Sequence, residues 1–249
     1  MTSAEIGIIM PAMLAGLLVL STHVPLGREV LARGIIFIDL AIAQIAGLGV
    51  IIAFAVGIHE GWEVQLAAAS AALTGAVALY WAERLWPDIQ EAVIGVAFVV
   101  ASSASLLLIA NHPQGSEHLK EILIGQILWV EYVDLIPVAV LYAAVLLLRS
   151  YVISKDSRLI FYLVFAVTIT ASVQLVGVYL VFASLILPAL ATIRLAKARL
   201  LIAYIIGVAG YLFGLLLAAW MDLPAGPVII MVMAAITLLA LILTRSEKL

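Results

Sequence analysis

Cysteine is absent from the 249 residues, which excludes disulfide cross-links and thiolate metal sites and leaves any soft-metal chemistry to His, Met or carboxylate. Charge is scarce as well. Asp, Glu, Lys and Arg make up 11% of the chain, too little to cover the surface of a soluble protein of this length. Long polar connections are missing too: those around 83–91, 112–121 and 194–199 are the longest, so an ATPase, receptor or ligand-capturing domain must be a separate chain. No charged segment followed by a short apolar stretch and a small-residue cleavage site opens the sequence, and the first helix is expected to be retained. No internal repeat is evident.

What the chain has instead is apolar surface. Hydrophobic residues make up 66% and the mean hydropathy is +1.28. Runs of about twenty apolar residues, enough to cross ~30 Å of hydrocarbon as a helix, are predicted near 4–24, 35–58, 62–82, 89–111, 131–148, 200–220 and 224–244. The uncharged stretch 159–193 is too long for one crossing and short for two. Arg158 before it and Arg194 after it put both ends on one side, so two short or broken segments are expected, with Gly177 as the break. The fold class is therefore all-α: a polytopic membrane protein of about eight or nine segments, some broken or re-entrant, forming a single domain over 1–249.

With that division Arg28, Arg33, Arg84, Arg149, Lys155, Arg158, Arg194, Lys197, Arg199, Arg245 and Lys248 share one side, eleven of the twelve basic residues, and only Lys120 falls opposite. The basic side is assigned to the cytoplasm. The outer face collects acidic groups, among them Glu5, Glu60, Glu63, Glu117, Glu121, Glu131, Asp134 and Asp222. Such a face draws cations over about a Debye length, although acidic outer loops also follow simply from excluding positive charge there.

Several residues interrupt the apolar runs. Asp39, about one turn inside the second span, costs a few kcal/mol (roughly 2.5–3.5 on insertion scales) unless it meets a partner, a bundle interior or water. It either serves a pathway or reaches back to Arg28 or Arg33 at the interface. Gln44 lies about 140° further round the helix, so the two polar groups do not share a face. The small residues around them suit close helix packing. His59 beside Glu60 and Glu63, and His112 and His118 in "NHPQGSEHLKE", form two loop-edge clusters of imidazole and carboxylate, a suitable ligand pair for zinc, manganese or iron(II). Neither has i, i+4 spacing, and for any one of these histidines simple solvation at a loop edge is a better account than ligation. His23 is expected at the edge of the first span in a boundary role. Glu91 and Gly95 open the fourth span. "LIGQILWVEYVDL", 123–135, reads either as an irregular or re-entrant segment or as an amphipathic surface helix. In 174–196, Gln174, Ser184 and Pro188 interrupt a lipid-soluble run; a broken helix there frees carbonyls that line a pathway, and a kink for packing alone is the competing account.

The same residues resemble the permease subunits of bacterial metal-ion ABC importers, which take up zinc, manganese or iron. Val176, Gly177, Leu180, Val181, Pro188 and Ala189 match the late V-G-x-x-L-V…P-A run, and "MDLPAGPVII" looks like the D-x-P-A-G-P segment through Asp222, Pro224, Ala225, Gly226 and Pro227. "VPLGREVLARGIIFIDLAIAQIAGLGV" is similar to the family's P-L-G stretch and small-residue helix, and "EAVIGVAFVVASSASLLLI" with "ILIGQIL" resembles its middle. The likeness spans nearly the whole chain in the same order. There are two departures. The family usually carries Asp followed four residues later by His on the second span; aligned on Gly49, Gln44 takes the histidine's place and Asp39 falls one residue early. The cytoplasmic segment read in the family as the ATPase-coupling helix is reduced here to "RSYVISKDSRL".

The resemblance implies a homodimeric permease in the bacterial inner membrane, its route along the two-fold axis. A divalent transition metal is its substrate. An extracytoplasmic metal-binding protein and an ATP-binding subunit are its partners, with ATP on the latter, no resident cofactor, no enzymatic activity of its own and no nucleic acid. On this reading Asp39, Gln44, His59, His112 and His118 handle the metal, Gln174 and Ser184 line the path, and Arg149, Lys155, Asp156 and Arg158 meet the ATPase, unless the loop at 194–199 does. Two other classes stay open: an uncoupled channel or proton-coupled secondary carrier with Asp39 as its switch, and a scaffold or assembly factor that transports nothing.

Overall fold

The computed structural model describes residues 3–58, 61–110, 123–152, 158–195 and 197–246, and the described secondary structure is helical throughout. The α-helices are α1 (Ser3–Arg33), α2 (Ile38–Ala55), α3 (Trp62–Leu85), α4 (Gln90–Ile109), α5 (Tyr132–Val152), α6 (Arg158–Val176), α7 (Val178–Ala191), α8 (Arg199–Met221) and α9 (Ala225–Ser246). Short 3₁₀ turns at Pro87–Ile89 and Ile127–Trp129 precede α4 and α5. Among the described residues seven helices are long and apolar enough to cross a bilayer, and Tyr132–Leu148 and Val178–Ala191 are shorter apolar helices. The chain is a multi-pass membrane protein, as its composition requires.

The first helix runs nine residues past its expected end at 24. Pro25 lacks an N–H and so leaves the carbonyl of Ser21, four residues back, without its helical donor. The Tyr204 hydroxyl of α8 donates to that carbonyl at 3.1 Å, which satisfies it and lets the helix continue. His23 is consequently not at a span edge but fully buried within α1.

The chain divides into two compact units. One comprises 1–33, 123–142 and 175–249. In it α1 packs on α7 and α8, and α9 packs on the same two helices. Approach is close because glycine stands at the crossing: a Cβ on Gly27 would overlap the Leu185 carbonyl oxygen. The expected break at Gly177 is present, with φ +81° and ψ 162°, a region open to glycine alone. Against it lies Gly125, also at positive φ, in the non-helical Gly125–Gln126 stretch before the 3₁₀ turn. The two glycine backbones touch: a Cβ on Gly177 would collide with the Gly125 nitrogen. The segment 123–131 is thus irregular rather than a continuous surface helix, and its irregularity fits the break in the long apolar run.

The other unit comprises 34–122 and 143–174. Here α2 packs on both α3 and α4, and Gly49 sits against the Ala67 carbonyl of α3, where a Cβ would come within 2.6 Å. Gln90 and Tyr162 join α4 to α6 through a hydrogen bond.

Candidate functional site

The start of α2 is the polar focus of the second unit. A helix leaves its first N–H groups without intrahelical acceptors, and the N-cap residue, Phe37, has no side-chain oxygen to supply one. Two carboxylates gather there instead. Glu91, in the first turn of α4, accepts the Phe37 N–H through Oε1 at 3.2 Å and lies beside the N–H of Ile36. Asp39, in the first turn of α2, is 1% exposed. Its carboxyl lies near the N–H groups of Leu40 and of Asp39 itself and close enough to Glu91 for the two to repel. None of these amides meets it in hydrogen-bonding geometry, however: Oδ1, Oδ2 and Glu91 Oε2 are all buried without a partner among the described residues. The positive end of the α2 dipole favours negative charge here but does not replace the lost hydration.

Gln44 follows a different course. Its Oε1 accepts the Ser102 hydroxyl of α4 at 3.1 Å, which satisfies a nearly buried amide within the helix pair. The alternative that Asp39 reaches back to a basic residue finds no ion pair among the described residues; Arg33 pairs with Glu29 on its own helix at 3.0 Å.

The remaining sequence-predicted residues are dispersed. Ser184 is fully buried and shares a hydrogen bond with the buried Tyr211 hydroxyl at 2.8 Å, whereas Gln174 is exposed near the end of α6. Arg158 donates to Glu83 of α3 at 3.1 Å. The Arg149 side chain, Lys155, Asp156, His59, His112 and His118 lie outside the described residues. Among the described residues no group of three or more His, Asp or Glu converges to hold a metal. His23 faces inward, its Nδ1 2.9 Å from the Val19 carbonyl and its Nε2 buried without a partner.

Sequence reasoning marked Asp39 but assigned no role to Glu91, although Glu91 supplies the cap that α2 lacks. The available signal was weak: an acidic residue opening an apolar span, with no local indication of which distant helix end it serves.

With this geometry in hand, comparison with known proteins is decisive. The profile of the ABC 3 transport family (ABC-3) matches residues 5–156 and 153–244. The chain belongs to the ABC-3 family. It is the permease type of subunit, a transport component rather than a catalytic one. Among curated relatives of this ABC-3 member, a "Probable iron transport system membrane protein" of Haemophilus influenzae is 28% identical over 61% of the chain. That alignment spans under two thirds, 64%, of the relative's own length. The "High-affinity zinc uptake system membrane protein ZnuB" of the same organism is 26% identical over 94% of the chain and 97% of the relative. Among solved structures, the fold matches a chain of "PsaBC from Streptococcus pneumoniae in complex with Fab" with TM-score 0.71 at 19% identity, over 94% of this chain and 89% of that one. The two pieces of the ABC-3 match meet at 153–156, within the connection between α5 and α6 that the sequence shows to be short.

Proposed function

We propose that this ABC-3 permease imports a divalent transition metal ion, zinc, manganese or iron, across the bacterial inner membrane. In this reading both units act as one permease domain, two copies of the chain frame the route, a separate ATP-binding subunit drives access from within, and an extracytoplasmic metal-binding protein delivers the ion. The names of the relatives support a metal as cargo. The observation that carries the reading is Asp39: a carboxylate buried in an apolar helix without a hydrogen bond is costly to keep and gains its compensation from a passing cation. Gln174 and Ser184 are proposed to border the route. His59, His112 and His118 are proposed as entry ligands, and Arg149, Lys155, Asp156 and Arg158 as contacts of the ATPase.

The test is metal uptake into proteoliposomes holding this chain with its cognate ATPase, scanned over zinc, manganese and iron(II). ATP-dependent accumulation is expected, and its absence for all three metals overturns the reading. A second reading draws on the short α5–α6 connection: an uncoupled channel or proton-coupled carrier that has dispensed with the ATPase. Equal uptake with and without the ATPase would favour it.

A further inference from the structure

In the unit built on α1, the last turns of that helix and the connection from α7 to α8 enclose a pocket of about 190 Å³. Arg28 and Arg199 both line it, together with Leu31, Ala189, Thr192 and Ile193. The packing of α1 on α7 and α8 brings the two arginines to one place.

Neither guanidinium is neutralised there. Arg28 is half-buried and makes no ion pair among the described residues; its neighbour Glu29 is engaged by Arg33 at 3.0 Å. Arg199 donates through Nε to the Leu195 carbonyl, which orients the group and leaves its Nη nitrogens without an acid partner among the described residues. Residues 178–221, which span α7, α8 and the loop between them, contain no Asp or Glu. The Thr192 hydroxyl is spent on the carbonyls of Pro188 and Ala189. Arg199 is also the first residue of α8, whose N-cap Ala198 has no side-chain oxygen for the first amides, so the positive end of that helix adds to the two cations. Such a pocket calls for an anion, and the planar fork of arginine suits phosphate oxygens.

Depth and wall chemistry select the anion. α1 has 31 residues, about 46 Å at 1.5 Å per residue, against ~30 Å of hydrocarbon, so its ends stand in the headgroup layers. Arg28 lies about 7.5 Å short of the end of α1 at Arg33, at headgroup depth rather than beyond it. Leu31, Ala189 and Ile193 give the pocket an apolar side, and Ile193 is 49% exposed. A free anion has no use for that wall. A phospholipid brings phosphate and apolar chain together, and basic pockets between spanning helices suit anionic headgroups.

We infer that Arg28 and Arg199 form a headgroup site for one anionic phospholipid, its phosphodiester between the two guanidinium groups and its chains along Leu31 and Ile193. The site does not depend on which ion the permease carries, and its lipid ties the end of α1 to the α7–α8 connection.

The full-length chain, purified in a mild detergent, is offered phosphatidylglycerol or the zwitterionic phosphatidylcholine with the same chains. Retained lipid is counted by native mass spectrometry, and the melting temperature is followed in parallel. Phosphatidylglycerol is expected to be retained and to raise the melting temperature, and phosphatidylcholine to do neither. Arg28→Gln and Arg199→Gln should each weaken phosphatidylglycerol retention by about tenfold. Lys197→Gln, an exposed charge on the same loop outside the pocket, should change it by less than about twofold, since it acts only through a screened field. Equal retention of the two lipids, retention unchanged in both arginine variants, or an equal loss in Lys197→Gln overturns the inference. Inorganic phosphate separates the sources: if it displaces the lipid at equal concentration, the ligand is free phosphate and the lipid assignment falls. Undiminished lipid retention with loss of a co-purifying ATP-binding subunit in the arginine variants gives the pocket to that partner and overturns the inference as well. Should Arg28→Gln not fold, Arg199→Gln, at an exposed position, decides alone.

Discussion

Asp39 is a buried carboxylate with no hydrogen-bond partner among the described residues, and its test is plain. Asparagine keeps its shape and removes the charge, so Asp39→Asn is expected to hold or raise thermal stability in detergent while uptake in the reconstituted system falls at least tenfold; unchanged uptake would return the residue to a structural role. The Ser184–Tyr211 hydrogen bond makes a different prediction. Tyr211→Phe leaves a buried serine hydroxyl without its partner, at a cost of about 1–3 kcal/mol, read as a lower melting temperature. Adding Ser184→Ala should recover part of that loss, because the unsatisfied group is then removed too. At this scale the sequence was readable where a residue violates its surroundings, as Asp39 does in "FIDLAIAQ". It was not readable where a distant partner resolves the violation. Glu91 lies 54 positions from the amide it caps, and Tyr211 lies 27 positions from Ser184, separations at which no periodicity links the pair.

Among the elements, α1 and the α6–α7 break show opposite fortunes for a helix breaker. Pro25, Gly27 and Arg28 read together as the end of a span, yet α1 continues because Tyr204 supplies the missing donor and Gly27 is needed for contact with α7. Gly177 reads as a break and is one, since its dihedral angles exclude other residues and nothing restores the helix across it. Two glycine substitutions should therefore differ in sign. Gly177→Ala combines a disallowed conformation, about 1–3 kcal/mol, with a backbone clash, and should lower yield and melting temperature together. Gly95→Ala, at a helical position where an added Cβ meets nothing within 4 Å, should stabilise by roughly 0.4–1 kcal/mol. Circular dichroism melts of the two variants in one detergent check the contrast. Glu83 and Arg158 form a third element-level case: Arg158 is 58% exposed, so Arg158→Ala should change stability by less than about 1 kcal/mol. A strong fall in ATPase stimulation with that small change would support the proposed ATPase contact.

For the whole molecule, hydropathy alone pointed to the membrane class and to most of the spans, because helices satisfy a spanning backbone in lipid; the first helix nevertheless runs past its expected end, and the expected crossing at 131–148 is one of the shorter helices whereas Arg158–Val176 is long enough to cross. The order of the family motifs pointed to the fold that the ABC-3 match and the PsaBC likeness bear out. The division into two units, one drawing on three separated stretches of chain, was not anticipated from the sequence, because it depends on contacts between segments far apart along the chain. The α5–α6 connection bears on coupling at this scale. Lengthening it by about a dozen residues, with the sequence taken from longer family members, should raise ATPase-dependent uptake if the short form limits coupling, and leave it unaltered if another loop makes the contact.

The meeting of Gly125 and Gly177 has a mechanical result. With only hydrogen on either α-carbon, peptide plane rests on peptide plane and no side chain is available to flex between them. The start of α7 and the turn leading to α5 therefore meet backbone to backbone, so that a side chain added at either glycine must displace the other segment.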